Sequence, residues 1–175
     1  GSRGRNNSSG SPGGGFVTAR AHAQQPSPHS PHHSHAVVEP DDDCIPEAQR
    51  VLKTGWGYNG FRAGQETAIR AAVCGQDSIV VMATGSGKSL CYQVPALMGV
   101  DGVVIVISPL LSLMHDQVSA LRARNVPAAS SAESSSEHMA FEGKTRLLYT
   151  TPETALGRLR NRLGELHRRV GIKLL

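Results

Sequence analysis

The sequence predicts an α/β fold, a parallel sheet covered by helices, and three observations carry that prediction. Helix-patterned and strand-patterned segments alternate from residue 47 to residue 175. The run Val103-Val104-Ile105-Val106-Ile107 is apolar at every position, as expected of a strand covered on both faces. A glycine-rich turn, Gly85-Ser86-Gly87-Lys88-Ser89, joins an apolar run to a helix-patterned one.

Taken in order, Glu47 to Lys53 reads as a short helix with Ala48, Val51 and Leu52 apolar. Gln65 to Cys74 reads as a second, with Ala68, Ile69, Ala72 and Val73 on one face and Gly75 as the stop. Ser78–Met82 reads as a buried strand, and Lys88–Met98 as a helix that Pro95 kinks or breaks. After the strand Val103–Ile107, Ser108 fits a helix N-cap with Pro109 in the first turn. Residues 127–143 are polar and serine-rich and read as a loop. Leu147-Leu148-Tyr149 is a third strand. Thr151-Pro152-Glu153 opens a helix with Leu156, Leu159, Leu163 and Leu166 on one face, and Ile172-Lys173-Leu174-Leu175 begins a fourth strand.

The first 43 of the 175 residues differ in composition. Residues 1–36 are mostly Gly, Ser, Pro, His, Ala and Asn, with one apolar pair at Phe16-Val17, and are expected to stay disordered because they bury too little apolar surface. Their Ser and Arg content, free of acids before Glu39, also fits a transit peptide. His29, His32, His33 and His35 lie in this flexible stretch without a carboxylate or thiol to fix a metal. Cys44, Cys74 and Cys91 form no C-x-x-C pair, which points to buried free thiols in a reducing compartment. No apolar run approaches the roughly 18 residues of a membrane span. The net charge of +4 is compatible with nucleic acid. Arg158, Arg160, Arg162, Arg168 and Arg169 read either as a solvated helix face or as a phosphate-tracking surface.

The turn at Met82-Ala83-Thr84-Gly85-Ser86-Gly87-Lys88-Ser89 has the strand–loop–helix setting of a phosphate-binding loop. Gly85 and Gly87 let successive N–H groups curl towards one anion, and the new helix adds the positive end of its dipole. Lys88 would reach the β- and γ-phosphates of a nucleoside triphosphate, and the Ser89 hydroxyl would ligate Mg²⁺. Strand ends carry ligands in such folds, so Ser108 and Thr151 are expected on the same rim as the loop. Upstream, Trp56-Gly57-Tyr58-Asn59-Gly60-Phe61-Arg62-Ala63-Gly64-Gln65 supplies flat faces for stacking on a base and an amide for its edge. The same residues also read as core aromatics beside surface Arg62 and Gln65.

With these stretches assembled, the chain resembles the RecQ family of superfamily 2 DNA helicases. The Trp56–Gln65 stretch resembles that family's motif 0, and Met82–Ser89 with Leu90–Leu97 its motif I, where Met82 is usual. Ser108–Gln117 resembles motif Ia, and Tyr149–Glu153 motif Ib. The resemblance covers residues 47–175, with 125–148 shorter than the family leads one to expect. It implies that Tyr58 and Arg62 sandwich adenine and Gln65 reads its edge. Thr84, Gly85, Ser86, Gly87, Lys88 and Ser89 would hold the phosphates of ATP, with Lys88 stabilising transferred charge and Ser89 on Mg²⁺. Ser108, Thr151 and Pro152 would touch the backbone of single-stranded DNA.

The resemblance further implies residues 44–175 as part of the first RecA-like domain, cut before the Asp-Glu-Ala-His motif that positions the metal and the attacking water. The parent protein would be an ATP-dependent three-prime to five-prime helicase acting on single-stranded and forked DNA in repair and recombination. A nuclear location would follow. This chain alone is expected to be inactive and to leave an apolar sheet edge open. The alternative is a non-catalytic module binding nucleotide or nucleic acid.

Overall fold

The structure, a computed structural model, describes residues 16–20, 44–99 and 102–175. The tail histidines lie outside the described residues. The elements run β1 (Phe16–Arg20), α1 (Ile45–Trp56), α2 (Gln65–Val73), β2 (Asp77–Val81), α3 (Leu90–Leu97), β3 (Val103–Ile107), α4 (Leu111–Arg122), β4 (Ala128–Ser130), α5 (Ser136–Phe141), β5 (Leu147–Thr150), α6 (Pro152–Thr154), α7 (Leu163–Arg169) and β6 (Ile172–Leu174). A π-turn (Ala155–Leu159) and a 3₁₀ turn (Arg160–Arg162) join α6 to α7.

Four strands form a parallel sheet in the order β4-β5-β3-β6. Alternate residues of each strand serve opposite faces. Val104, Leu147, Tyr149 and Ala128 pack with Ala96 of α3 and Met114, Val118 and Leu121 of α4. Val103, Ile105, Leu148 and Ala129 pack on the other face with Ala140, Phe141, Leu159 and Leu166. That is why β3 is apolar throughout: both its faces are covered. A third cluster joins α1, α2 and α3 through Leu52, Ile69, Leu90 and Val94. Cys44 and Cys91 are buried and Cys74 half-buried, all as free thiols. No helix among the described residues is long and apolar enough to cross a membrane.

The sequence reading needs five corrections. The strand before the glycine-rich turn is not buried: Ile79 and Val81 of β2 are 70% and 63% exposed. Nor does β2 join the parallel sheet; it pairs antiparallel with β1, Val17 opposite Val80. The pair Phe16-Val17 belongs to β1. Residues 127–143 are not all loop, because β4 pairs with β5 and α5 buries Ala140 and Phe141. Ser108 is not an N-cap: its N–H donates to the Thr150 carbonyl (2.9 Å), Leu110 stays extended, and α4 opens at Leu111. Finally, the last helix is broken. Gly157 leaves helical geometry (φ −88°, ψ −111°), so Leu159 and Leu166 are buried while Leu156 is 74% exposed.

Tyr149 is buried on β5, accepts a hydrogen bond from the Gln93 amide (3.3 Å), and meets Tyr92 edge to face. Burial, reinforced by neighbouring Tyr92, raises its phenol far above the ordinary value of 10.0. Folding therefore favours the neutral ring. That contribution is complete below pH 10 and is lost as pH rises beyond it. Tyr149→Phe is expected to cost about 0.5–1.5 kcal/mol at pH 7 through the lost hydroxyl. In urea titrations from pH 7 to 11, its deficit against the unmodified chain should shrink above about pH 10. A deficit constant across that range would show that Tyr149 does not resist ionisation.

Candidate functional site

The site begins where α1 ends. Gly57 (φ 74°) closes that helix in a left-handed cap, and Gly64 (φ 84°) precedes α2. The loop between them separates the aromatic residues. Trp56 and Phe61 pack on the α1–α3 cluster, while Tyr58 stays 52% exposed. Gln65 opens α2 and is 1% exposed. Its Oε1 accepts the Arg62 backbone N–H (2.8 Å), and its Nε2 donates to the carbonyls of Gly87 (2.9 Å) and Ser86 (3.4 Å). The amide is thus engaged by the protein's own backbone and not presented to solvent. The Arg62 guanidinium donates to the Gly85 carbonyl (2.9 Å), a second tie to the same turn.

The turn itself takes the shape its glycines permit, with Gly85 at φ 77° and Gly87 at φ 86°. At Gly87 a side chain is barred twice: by the left-handed backbone, and by Gln65 Nε2, which would lie 2.7 Å from an added Cβ. Lys88 Nζ donates to the carbonyls of Met82 and Ala83, both at 2.9 Å, and the Ser86 hydroxyl donates to Ala83 (2.6 Å). Half-buried Ser89 stands at the N-cap of α3, and exposed Thr84 leads into the turn.

A cavity of about 420 Å³ brings together Tyr58, Arg62, Gln65, Gly85, Gly87 and Ser89. Its far wall is formed by Gln117 of α4 and by Arg124 just beyond that helix, neither of which the sequence reading assigned to this site. Helical spacing puts Gln117 on α4 without marking it for the site; it arrives by the packing of α4 against α3, where Gln93 Nε2 donates to Gln117 Oε1 (3.0 Å).

The ends of β3 and β5 meet beside this site. Lys88 and Ile107 line one cavity of about 560 Å³, and the Ser108–Thr150 backbone bond sets Ser108 beside Thr151. Ser108, Thr151 and Pro152 are half-buried. Thr151 caps α6 by accepting the Thr154 N–H (3.2 Å). The Glu153 carboxyl is held below its ordinary range by its own backbone N–H and then by Thr151, so the rim keeps an ionised acid. Among the described residues no group of three or more His, Cys, Asp or Glu could hold a metal ion.

The family model for DEAD/DEAH box helicases matches residues 62–172. This chain belongs to that family. Within it the domain is RecQ-like and partial. It is 48% identical over 118 residues to the ATP-dependent DNA helicase RecQ of Haemophilus influenzae, covering 63% of this chain and 19% of the relative. Against RecQ of Bacillus subtilis it is 46% identical over 114 residues, 61% of this chain and 19% of the relative. A putative ATP-dependent DNA helicase Q1 of Caenorhabditis briggsae is 38% identical over 147 residues, 77% of this chain and 24% of that protein. The chain thus spans a fifth to a quarter of the length of these relatives.

The double constraint at Gly87 sets a test. Gly87→Ala should cost about 1–2 kcal/mol from the left-handed backbone alone, before the contact with Gln65 is added. Urea denaturation of the two proteins reads it directly. An unchanged midpoint would mean that the turn does not hold this conformation in solution.

Proposed function

We propose that this chain is the nucleotide-binding part of an ATP-dependent DNA helicase of the RecQ type. The observation that carries the reading is the tie between the two halves of the site: Gln65 and Arg62 bond to a turn whose two glycines have positive φ. Tyr58 and Arg62 would hold adenine, with Gln65 fixing the turn beneath it and meeting the base edge only where its amide is released from the backbone. Thr84 to Ser89 would cradle the phosphates with converging N–H groups. The residues fit such an anion. Lys88 is already folded over the turn on two carbonyls that a phosphate would replace as its partner. ATP with Mg²⁺ would supply the anhydride whose cleavage drives movement, Ser89 offering one oxygen to the metal.

Ser108, Thr151 and Pro152 would touch the backbone of single-stranded DNA, contacts that carry little sequence information. In a longer protein this half-site would face a second RecA-like domain and drive three-prime to five-prime translocation on forked DNA, in nuclear repair and recombination. For the 175-residue chain taken alone, the activity proposed is ATP binding.

Thermal unfolding tests the binding step. ATP and Mg²⁺ at about a hundred times Kd should raise the midpoint of the chain by roughly 5–10 °C. Lys88→Ala should lose most of that rise while unfolding at a similar temperature without nucleotide. No rise in the unmodified chain would sink the proposal.

A further inference from the structure

Beyond the Thr151–Pro152 rim a cavity of about 860 Å³ opens among Ser131, Ser134, Glu137, Thr154, Arg158 and Arg162. Its two arginines come from the broken segment after α6: Arg158 from the π-turn, Arg162 from the 3₁₀ turn. Both converge on Glu137 of α5. Arg158 Nε lies 2.7 Å from Glu137 Oε1, and Arg162 Nη1 lies 3.1 Å from Oε2. Arg158 also donates to the Ser131 carbonyl (2.6 Å), and the Arg162 guanidinium sits 4.1 Å from the centre of the Phe141 ring. The carboxylate is shielded at 16% exposure, while the arginines are 61% and 45% exposed.

One sheltered acid therefore positions two accessible guanidiniums, and the trio carries a net charge of +1. Each guanidinium has five N–H groups, and these contacts use a minority of them. The nearby Arg122–Glu133 pair is closed on itself by two bonds, 3.0 and 2.7 Å. With Glu153 added, the acids and bases around the cavity balance, so a diffuse positive field is not what would hold an anion here. A ligand would be held by directional donors, and the planar fork of arginine suits a phosphodiester. Arg169 differs, pairing with Glu165 on α7 (3.2 Å), as a solvated helix face does.

We infer that Arg158 and Arg162 extend the Thr151–Pro152 rim as a subsite for one backbone phosphate of single-stranded nucleic acid. Glu137 holds the pair in its absence and competes with the phosphate for it. The inference rests on the DNA-binding reading given above. Arg158 and Arg162 act as a fork aimed along the strand, and Glu137 sets how tightly that fork is held back.

The test is fluorescence anisotropy of a labelled oligothymidine of roughly 20 nucleotides with the 175-residue chain across a salt series. Arg158→Ala should weaken binding about 3–10-fold and make the salt dependence shallower by about 0.7 in log–log slope. Glu137→Gln should tighten binding, because it frees both arginines and adds one net positive charge. The thermal shift with ATP, which depends on Lys88, should be retained in both variants and serves as the check on folding. An Arg158→Ala/Arg162→Ala protein that keeps the ATP shift and binds with unchanged affinity and slope would overturn the inference and leave the DNA-binding reading standing. So would a folded Glu137→Gln protein that binds more weakly. Absence of salt-sensitive binding by the unmodified chain would remove the DNA-binding reading and this inference with it.

Discussion

The buried amide of Gln65 is the contact on which the candidate site depends. Its oxygen takes the Arg62 N–H and its nitrogen serves the Gly87 carbonyl, so the α1–α2 loop and the glycine-rich turn are one mechanical piece. A buried amide without partners is costly, which makes the arrangement self-enforcing: if the turn moves, the amide is left unsatisfied. Gly87 is the other half of the same constraint, since its missing side chain leaves the space that Gln65 Nε2 occupies.

A second polar contact carries that geometry into the sheet. Gln93 on α3 bonds both Gln117 of α4 and Tyr149 of β5 within an otherwise apolar layer. The helix that starts at the turn is thereby registered against the strand that ends at the Thr151 rim. The two halves of the proposed function, nucleotide and nucleic acid, meet through one helix, one tyrosine and two glutamines. Apolar packing alone is non-directional and would not fix that register.

Much of this was legible in the sequence, for identifiable reasons. The strand Val103–Ile107 was found to the residue because a run covered on both faces is apolar at every position. The glycine-rich turn was found because few residue types tolerate its backbone. β4 was not legible: Ala128-Ala129-Ser130 has no β-branched residue and draws its stability from pairing with β5. The start of α4 was misplaced because Ser108-Pro109 has the local pattern of a helix start, while the chain stays extended as far as Leu110. The helical spacing of four leucines hid the break at Gly157. The residues around Glu137 were invisible as a group, since 21 and 25 positions separate it from Arg158 and Arg162.

The placement of β2 has a consequence for affinity. The stem of the glycine-rich turn stands outside the four-stranded sheet, held among the described residues by β1 and by α2, with Ile79 and Val81 facing water. The amide protons of such a strand exchange with solvent by local opening, well before the sheet centred on β3 gives way. On the proposed reading only the closed population would receive a triphosphate, so the apparent dissociation constant would be the intrinsic one divided by the closed fraction. Whatever packs beside β2 would then tune the proposed nucleotide affinity without touching the nucleotide.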